Sequence, residues 1–557
     1  MMHGAASLRD RALAAARSGD DAVAVRLFAE AAVRYPRDAA MLNSAGNFHA
    51  RAARHDEALS CFDRAITANA DFGEAIVNRA ITLAAMGKQR EALSTLCAEE
   101  RRLRGLPRYW SARAGLEVAL DDRVSASRSY EQCLSLAPTH ALALHGRARM
   151  ALDRGEDDMV ERFDRALALA PGDALLWLGR ANALDHVGRT AEARQIAEAL
   201  VEQVPEWPDA LELLAQLRWA AGERQDFCLH YADAVRRFPH NALLYRSWCR
   251  MLAGVDRYHE AADAAGIGHR ACPEDPELAL REAVHRGEAG EDGVAEAIFA
   301  RLTLDTDDRS MHEARHWLRC EEPERAERLL APIAEANGPV AAWALRDIAW
   351  RMLQDPRHAW LHQDTFVRLL PLELSDRDLH AAIAVLDRFH DTAAMPIGQS
   401  VRDGSQTRGG LFDRGEAEIA RFHEAVVRTI TRYRNALPRR DDGHPLLRYR
   451  DAPMRVAGSW SVRLMQGGFH TGHIHPEGVL SSACYLSLPE PESADPFAGG
   501  LELGRPPADL RLPLPPVQIV KPELGFCALF PSTLYHGTRR FSTGKRMTVA
   551  FDVAPYR

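Results

Sequence analysis

Near the C-terminal end, four histidines, a glutamate and an arginine have the types and spacing to hold a metal beside an anion. His470, His473 and His475 fall within FHTGHIHPEG, with Glu477 close behind; His536 closes FPSTLYH and Arg546 opens RMTVAFD. On a strand, residues i and i+2 point to the same side. Two near pairs are therefore available, His473 with His475 or His475 with Glu477, and His536 offers a distant third ligand. Pro476 and Gly478 predict that the chain has already turned at Glu477. Three ligands on one face of a metal leave positions open for small molecules. Arg546 offers a two-pronged cation for a carboxylate, in a fork that Lys cannot match. Thr548, two residues on, would sit on the same side and add a hydrogen bond. Tyr485 reads either as a wall of that anion pocket or as a core aromatic. His470 reads as a loop residue.

The elements that must position these residues change period from 3.6 to 2 after about residue 456. WSVRLM, SSACYLSL, LELG, VQIVK, GFCALF and RMTVAFDV read as short strands, punctuated by QGG, HPEG, FAGG, GRPP and KPELG. So many strands in so short a span predict a small β-sandwich or barrel. Upstream, DLHAAIAVLDRFHD and GEAEIARFHEAVVRTITRYRNAL read as helices. Between them PIGQSVRDGSQTRGGLF, rich in Gly, Ser, Gln and Arg, reads as a loop. Its Gln399, Arg402 and Gln406 are candidates to reach a ligand. AAWALRDIAWRMLQDPRHAWL, with Trp343, Trp350 and Trp360, reads as a helical cap whose tryptophans are core aromatics.

Residues 1–335 are dominated by a repeat of about 34 residues. Ala24, Phe28, Ala31 and Pro36 recur as Ala58, Phe62 and Ala65, as Ala126, Tyr130, Cys133 and Pro138, and more weakly as Ala295, Phe299 and Leu302. A large residue followed four positions later by a small one also recurs: Trp110 and Ala114, Leu144 and Ala148, Leu211 and Ala215, Tyr245 and Cys249. Small residues let helices approach, and the proline stops the second helix of each unit. The pattern resembles the tetratricopeptide repeat. The resemblance implies a superhelix of helix pairs that stands by stacking and presents a groove for a protein or peptide partner. Arg79, Arg113, Arg147 and Arg180 recur at one place in the first helix. They read as partners of carboxylates on neighbouring helices, or else as a ladder for an acidic peptide.

Over roughly residues 380–557 the chain resembles the Fe(II)/2-oxoglutarate-dependent oxygenases, most closely their prolyl-hydroxylase-like group. The motifs carrying the resemblance are QSVRDGSQTRGGLF, HIHPEG followed by SSACYL, GGLELGRPP, IVKPELG, FPSTLYH and the closing R-x-T. It implies a double-stranded β-helix (jelly-roll, cupin-like) with flanking helices. It also implies that His536 is the far metal ligand and that Arg546 grips the distal carboxylate of 2-oxoglutarate. The usual near pair in such enzymes is His-x-Asp or His-x-Glu, and this chain departs from it. In related sequences the HxHP frame recurs while the acid's position varies, which favours His473, His475 and His536 as the metal set, with Arg546, Thr548 and Tyr485 around the co-substrate. The implied activity is that of a dioxygenase using Fe(II), 2-oxoglutarate and O₂, with ascorbate as reductant, and hydroxylating a polypeptide side chain. Two rivals are a non-catalytic repeat scaffold whose β-domain only binds ligand or metal, and a cupin-like metal enzyme that does not use 2-oxoglutarate. A buried Arg546 argues against both.

The expected organisation is an all-α repeat solenoid of about nine to ten units (1–335), a helical cap (336–379) and an oxygenase domain (380–557). The net charge of −8 and the absence of a dense basic block exclude a nucleic-acid binder. No apolar run long enough to span a bilayer occurs. Nine scattered cysteines with no CxxC pair predict reduced thiols and a cytoplasmic protein.

Overall fold

The computed structural model describes residues 2–336, 338–393, 397–492 and 495–556. The chain forms two compact units, residues 1–176 and 177–557.

The first unit is helical. Pairs such as Ala39–Arg51 with His55–Ala68, and Pro107–Ala119 with Arg123–Leu136, pack against each other in series. The repeated apolar residues are its core: Ala24, Phe28, Ala31, Ala58, Phe62 and Ala65 are buried. Gly46 shows why a small residue is needed opposite the aromatic. A Cβ there would lie 2.5 Å from the Phe62 ring. Phe62→Ala is expected to destabilise this unit by about 3–5 kcal/mol, the usual cost of emptying a buried aromatic site, read as a lowered melting temperature. The recurring arginines pair with carboxylates. Arg79 meets Asp63 at 2.7 Å, Arg113 meets Glu117 and Glu100 at 2.8 Å, and Arg147 meets Glu131 at 2.7 Å. In the second unit, Arg180 lies 5.7 Å from the Trp177 ring centre.

The second unit continues the helix pairs from Pro208–Ala220 to Pro323–Glu335. Prolines follow the second helices as expected, with one exception: Pro332 lies inside its helix. The helix Val340–Leu353 then buries Trp343 and Trp350 in a cluster with Leu330, Leu510 and Tyr535, so the tryptophans join repeat residues to the β region. Trp360 packs at the edge of that cluster and donates its indole N–H to Asp441 at 3.0 Å.

Among the described residues, nine strands form one antiparallel sheet: β1 (Arg368–Pro371), β2 (Val401–Gln406), β3 (Met454–His473), β4 (Leu480–Ser487), β5 (Leu501–Leu503), β6 (Gln518–Val520), β7 (Phe526–Pro531), β8 (His536–Thr538) and β9 (Arg546–Pro555). The order is β1-β7-β4-β9-β3-β8-β5-β6, with β2 paired to β3. All six strands expected from sequence are present, and β1, β2 and β8 are added. β2 corrects the loop expected over 396–412. Its polar residues suit an edge, and pairing with β3 supplies the order that their propensities do not. Gly404 permits that pairing, since a Cβ would lie 2.7 Å from the Arg463 carbonyl oxygen. Pro396, at the head of that segment, lies outside the described residues.

Strand parity assigns each face of the sheet. On β9, Met547, Val549, Phe551 and Val553 enter the large core beneath the helices Asp376–Asp391 and Ala417–Asn435. Arg546, Thr548 and Ala550 point to the other face, into a cavity. A second core there joins Ala483 and Tyr485 of β4 to Leu501 and Leu503 of β5, Val520 of β6 and Phe530 of β7. Strands from both ends of the hydrogen-bonded order thus pack together, and the sheet is folded over on itself.

Candidate metal and co-substrate site

β8 pairs with the end of β3 so that His536 lies opposite His473. His475 follows just past the strand. The potential ligand atoms of His473, His475 and His536 all lie within 4.8 Å of one another. Glu477 is exposed in the turn beyond and is not in this group.

Each of the three rings is held by its other nitrogen. Nδ1 of His473 meets the Thr471 carbonyl at 2.8 Å, Nδ1 of His475 meets an Asp552 carboxylate oxygen at 2.7 Å, and Nδ1 of His536 meets the Leu534 carbonyl at 3.2 Å. Carbonyls and carboxylates only accept, so each Nδ1 carries a proton and each Nε2 is the nitrogen left to ligate. The Nε2 atoms of His473 and His475 lie 3.1 Å apart. Lone pairs converging at that distance are unfavourable without a cation between them. Burial, and then the neighbouring imidazoles of the cluster, push His473 down to about 3 and His536 well below the usual histidine range. Both rings therefore stay neutral, as metal coordination requires. This donor set fits a divalent transition metal bound on one face.

Asp552 is buried and also accepts from Ser481 Oγ at 3.2 Å, while Ser481 meets Ser532 at 2.9 Å. A carboxylate on the far nitrogen of a metal-binding imidazole fixes its orientation and makes it a better donor. Here it places a carboxylate beside the three rings. Asp552→Ala is expected to weaken Fe(II) or Co(II) binding about 10- to 100-fold, with Asp552→Asn in between. Metal titration of the purified chain checks this.

The His cluster opens on a cavity of about 430 Å³ lined by Trp460, Val462, His470, Leu501, Arg546 and Thr548, among others. Arg546 is 1% exposed. Its Nε donates to the Gly499 carbonyl at 2.9 Å, and NH1 reaches Thr548 Oγ1 at 3.5 Å. Among the described residues no carboxylate pairs with it. Burial lowers its pKa below the usual arginine range, opposed by the nearby Tyr485. The Tyr485 ring centre is 5.4 Å from the guanidinium, and its hydroxyl is buried with no hydrogen-bond partner among the described residues. Burial raises that phenol to about 12, so it stays a donor. A buried cation with no carboxylate partner among the described residues, a threonine hydroxyl and a buried phenol beside it are what a small carboxylate would satisfy.

Gln399 and Gln406 line the cavity. Arg402 instead pairs with Asp256 at 2.8 Å. Sequence reasoning missed two residues. His470 is on β3, not in a loop. It lines the cavity, meets Thr538 Oγ1 at 2.8 Å and stacks on His473 at 5.9 Å between ring centres. An irregularity between His470 and His473 puts both on one side, which period-2 counting does not show. Asp552 was legible: it shares parity with Arg546 and Thr548 on β9.

One other group of potential ligands occurs among the described residues, Asp292, His316 and Cys320. Its carboxylate is already held by Arg511 at 2.6 Å and lies 3.8 Å from Arg319, so two cations compete for it.

Residues 458–552 match the family described as "Putative 2OG-Fe(II) oxygenase", and residues 160–217 match the tetratricopeptide repeat family. The first match spans His473, His475, His536, Tyr485, Arg546 and Thr548. No curated protein matches the chain. Among solved structures, it is similar to a tetratricopeptide repeat protein from Parabacteroides merdae (19% identity, 44% of this chain and 98% of that one, TM-score 0.34). It is also similar to yeast Tom70 (13% identity, 65% and 97% covered, TM-score 0.32). A third is a thermophilic repeat protein of Thermus thermophilus (21% identity, 32% and 98% covered, TM-score 0.28). The chain carries a tetratricopeptide-repeat region and, toward its C-terminal end, a domain of the 2OG-Fe(II) oxygenase family.

Proposed function

We propose that the protein is an Fe(II)- and 2-oxoglutarate-dependent dioxygenase that hydroxylates a side chain of a polypeptide recruited by its repeats. One observation carries this reading: three imidazole lone pairs converge in the same cavity as a buried arginine with no carboxylate partner among the described residues. A metal-binding scaffold has no use for the second feature. In this reading the folded-over sheet is a double-stranded β-helix.

Iron, 2-oxoglutarate and O₂, when bound, supply an oxidant able to break a substrate C–H bond, with succinate and CO₂ as products. His473, His475 and His536 would hold the metal. Arg546 grips the distal carboxylate, with Thr548 and Tyr485 donating beside it. Trp460, Val462, Leu501 and Ala550 give the cavity apolar walls that exclude water. Gln399 and Gln406 offer amides suited to a peptide backbone. Stacked repeats provide an extended surface for a protein or peptide. No helix among the described residues is long and apolar enough to cross a membrane. The nine cysteines are all unpaired, which fits the reducing cytoplasm.

The test is anaerobic addition of Fe(II) and 2-oxoglutarate, followed by O₂ with ascorbate to keep the iron reduced. A 2-oxoglutarate-dependent visible absorption band and succinate release are expected. Metal binding with neither would leave the scaffold reading.

A further inference from the structure

We propose that the repeats build part of the pocket itself. The helices Pro208–Ala220 and Ala242–Ala253 hold the segment Ile397–Ser400 as a wall of the cavity, which makes Gln216, Gly254 and Asp256 positioning residues. The functional part of this proposal rests on the oxygenase reading; the structural part does not.

Gly398, Gln399 and Ser400 line the cavity beside the His cluster. On the repeat side, the backbone N–H of Ile397 donates to the Gln216 side-chain oxygen at 2.8 Å, and that of Gly398 donates to the Gly254 carbonyl at 3.0 Å. The Ile397 side chain packs on a buried repeat cluster that includes Leu211, Phe227 and Leu252. The fit at Gly254 is close: a Cβ would lie 2.8 Å from Ile397 Cγ2 and 2.9 Å from the Gly398 nitrogen. Asp256, just past the same helix, takes Arg402 NH2 at 2.8 Å, and Arg402 NH1 donates to the Gln399 carbonyl at 2.7 Å.

On the site side, the Ser400 carbonyl accepts from the Thr471 N–H at 2.9 Å, and Ser400 Oγ lies 3.3 Å from His473 Nε2. Two repeat helices, a short backbone segment and a histidine of the cluster are thus joined by direct contacts. Side chains far upstream in sequence set one face of the cavity, so the repeats act in the oxygenase site as well as in recruitment.

The test uses the full chain and two variants. Gly254→Val forces Ile397 and Gly398 away from the helix end. Gln216→Leu keeps the side-chain volume and removes one acceptor. Amide hydrogen exchange over residues 397–403, Co(II) binding and uncoupled succinate release are measured alongside circular dichroism. Exchange over 397–403 is expected to quicken about tenfold in Gly254→Val and less in Gln216→Leu, in line with the loss of buried hydrogen bonds. Succinate release should fall in the same order while Co(II) stays bound. If Gly254→Val does not fold, Gln216→Leu carries the test. Wild-type exchange over 397–403 in the folded variants overturns the proposal, and so does faster exchange with unchanged succinate release. If the wild-type chain releases no succinate, the oxygenase reading has failed. Hydrogen exchange then still decides whether the repeats hold the wall.

Discussion

Alanine at any one of His473, His475 or His536 is expected to abolish 2-oxoglutarate turnover and to weaken Fe(II) binding by more than about 100-fold. Losing a partner one layer out from a metal typically costs about 10- to 100-fold in affinity, so losing a direct ligand costs more. The effect should be alike at all three positions, because each Nε2 is aimed by an acceptor on Nδ1 and no spare donor stands in. His470 is the nearest further imidazole, but its Nδ1 is engaged with Thr538. Glu477→Ala is the informative control. That carboxylate is exposed in the turn beyond β3, and its removal is expected to leave metal affinity and turnover at wild-type levels. Loss of iron in the glutamate variant, with iron retained by His473→Ala, would reassign the near pair to His475 and Glu477. Isothermal titration with Co(II), alongside succinate assays, reads both outcomes.

Arg546→Met is expected to lose 2-oxoglutarate while keeping the metal. Removing one side of a buried, hydrogen-bonded charge pair costs about 2–5 kcal/mol, or roughly 30- to several-thousand-fold in affinity. Arg546→Lys should recover only part, since a point charge cannot make two parallel hydrogen bonds to a carboxylate. A second consequence has the opposite sign. With no co-substrate bound, the guanidinium is buried without a carboxylate partner among the described residues, a burden on the fold. The methionine variant should therefore melt no lower than wild type without ligand. Saturating 2-oxoglutarate with anaerobic Fe(II) should raise the wild-type melting temperature and leave that of the variant unchanged, since a ligand at about 100 times its Kd adds about 2.7 kcal/mol. A variant stabilised by 2-oxoglutarate as strongly as wild type would remove Arg546 from the anchor.

The repeats were legible because stacking forces the same residues to recur. Phe28 and Phe62 do one job in successive units, and a fixed period makes that visible. The six expected strands were legible because each is a short run carrying apolar residues, bounded by Gly and Pro. β8 was not: His-Gly-Thr carries no apolar residue to mark a strand, and its place is fixed by pairing with β3 and β5. β2 was hidden because a polar edge strand has the composition of a loop. β3 was expected only as WSVRLM, yet it runs on through three glycines to His473. That continuation carries His470 into the cavity. Arg546 was singled out through the resemblance and Thr548 through parity with it, and the same count, taken four residues further, reaches Asp552. The contact of Gln216 and Gly254 with the pocket wall left no local trace, because it joins segments far apart in sequence that only the folded chain brings together.

β9 has a consequence for how this domain can vary. Eight of its ten residues are buried, alternately in the helix-covered core and on the cavity side. Inserting or deleting one residue would turn Arg546 or Asp552 toward the core and bring a valine or methionine to the cavity. A length change there therefore takes at least one of these two side chains out of the cavity. The connections between β4 and β5 and between β5 and β6 carry no such alternation. Natural differences in substrate preference among chains of this architecture are expected to accumulate there as changes in length, while β9 varies only by substitution.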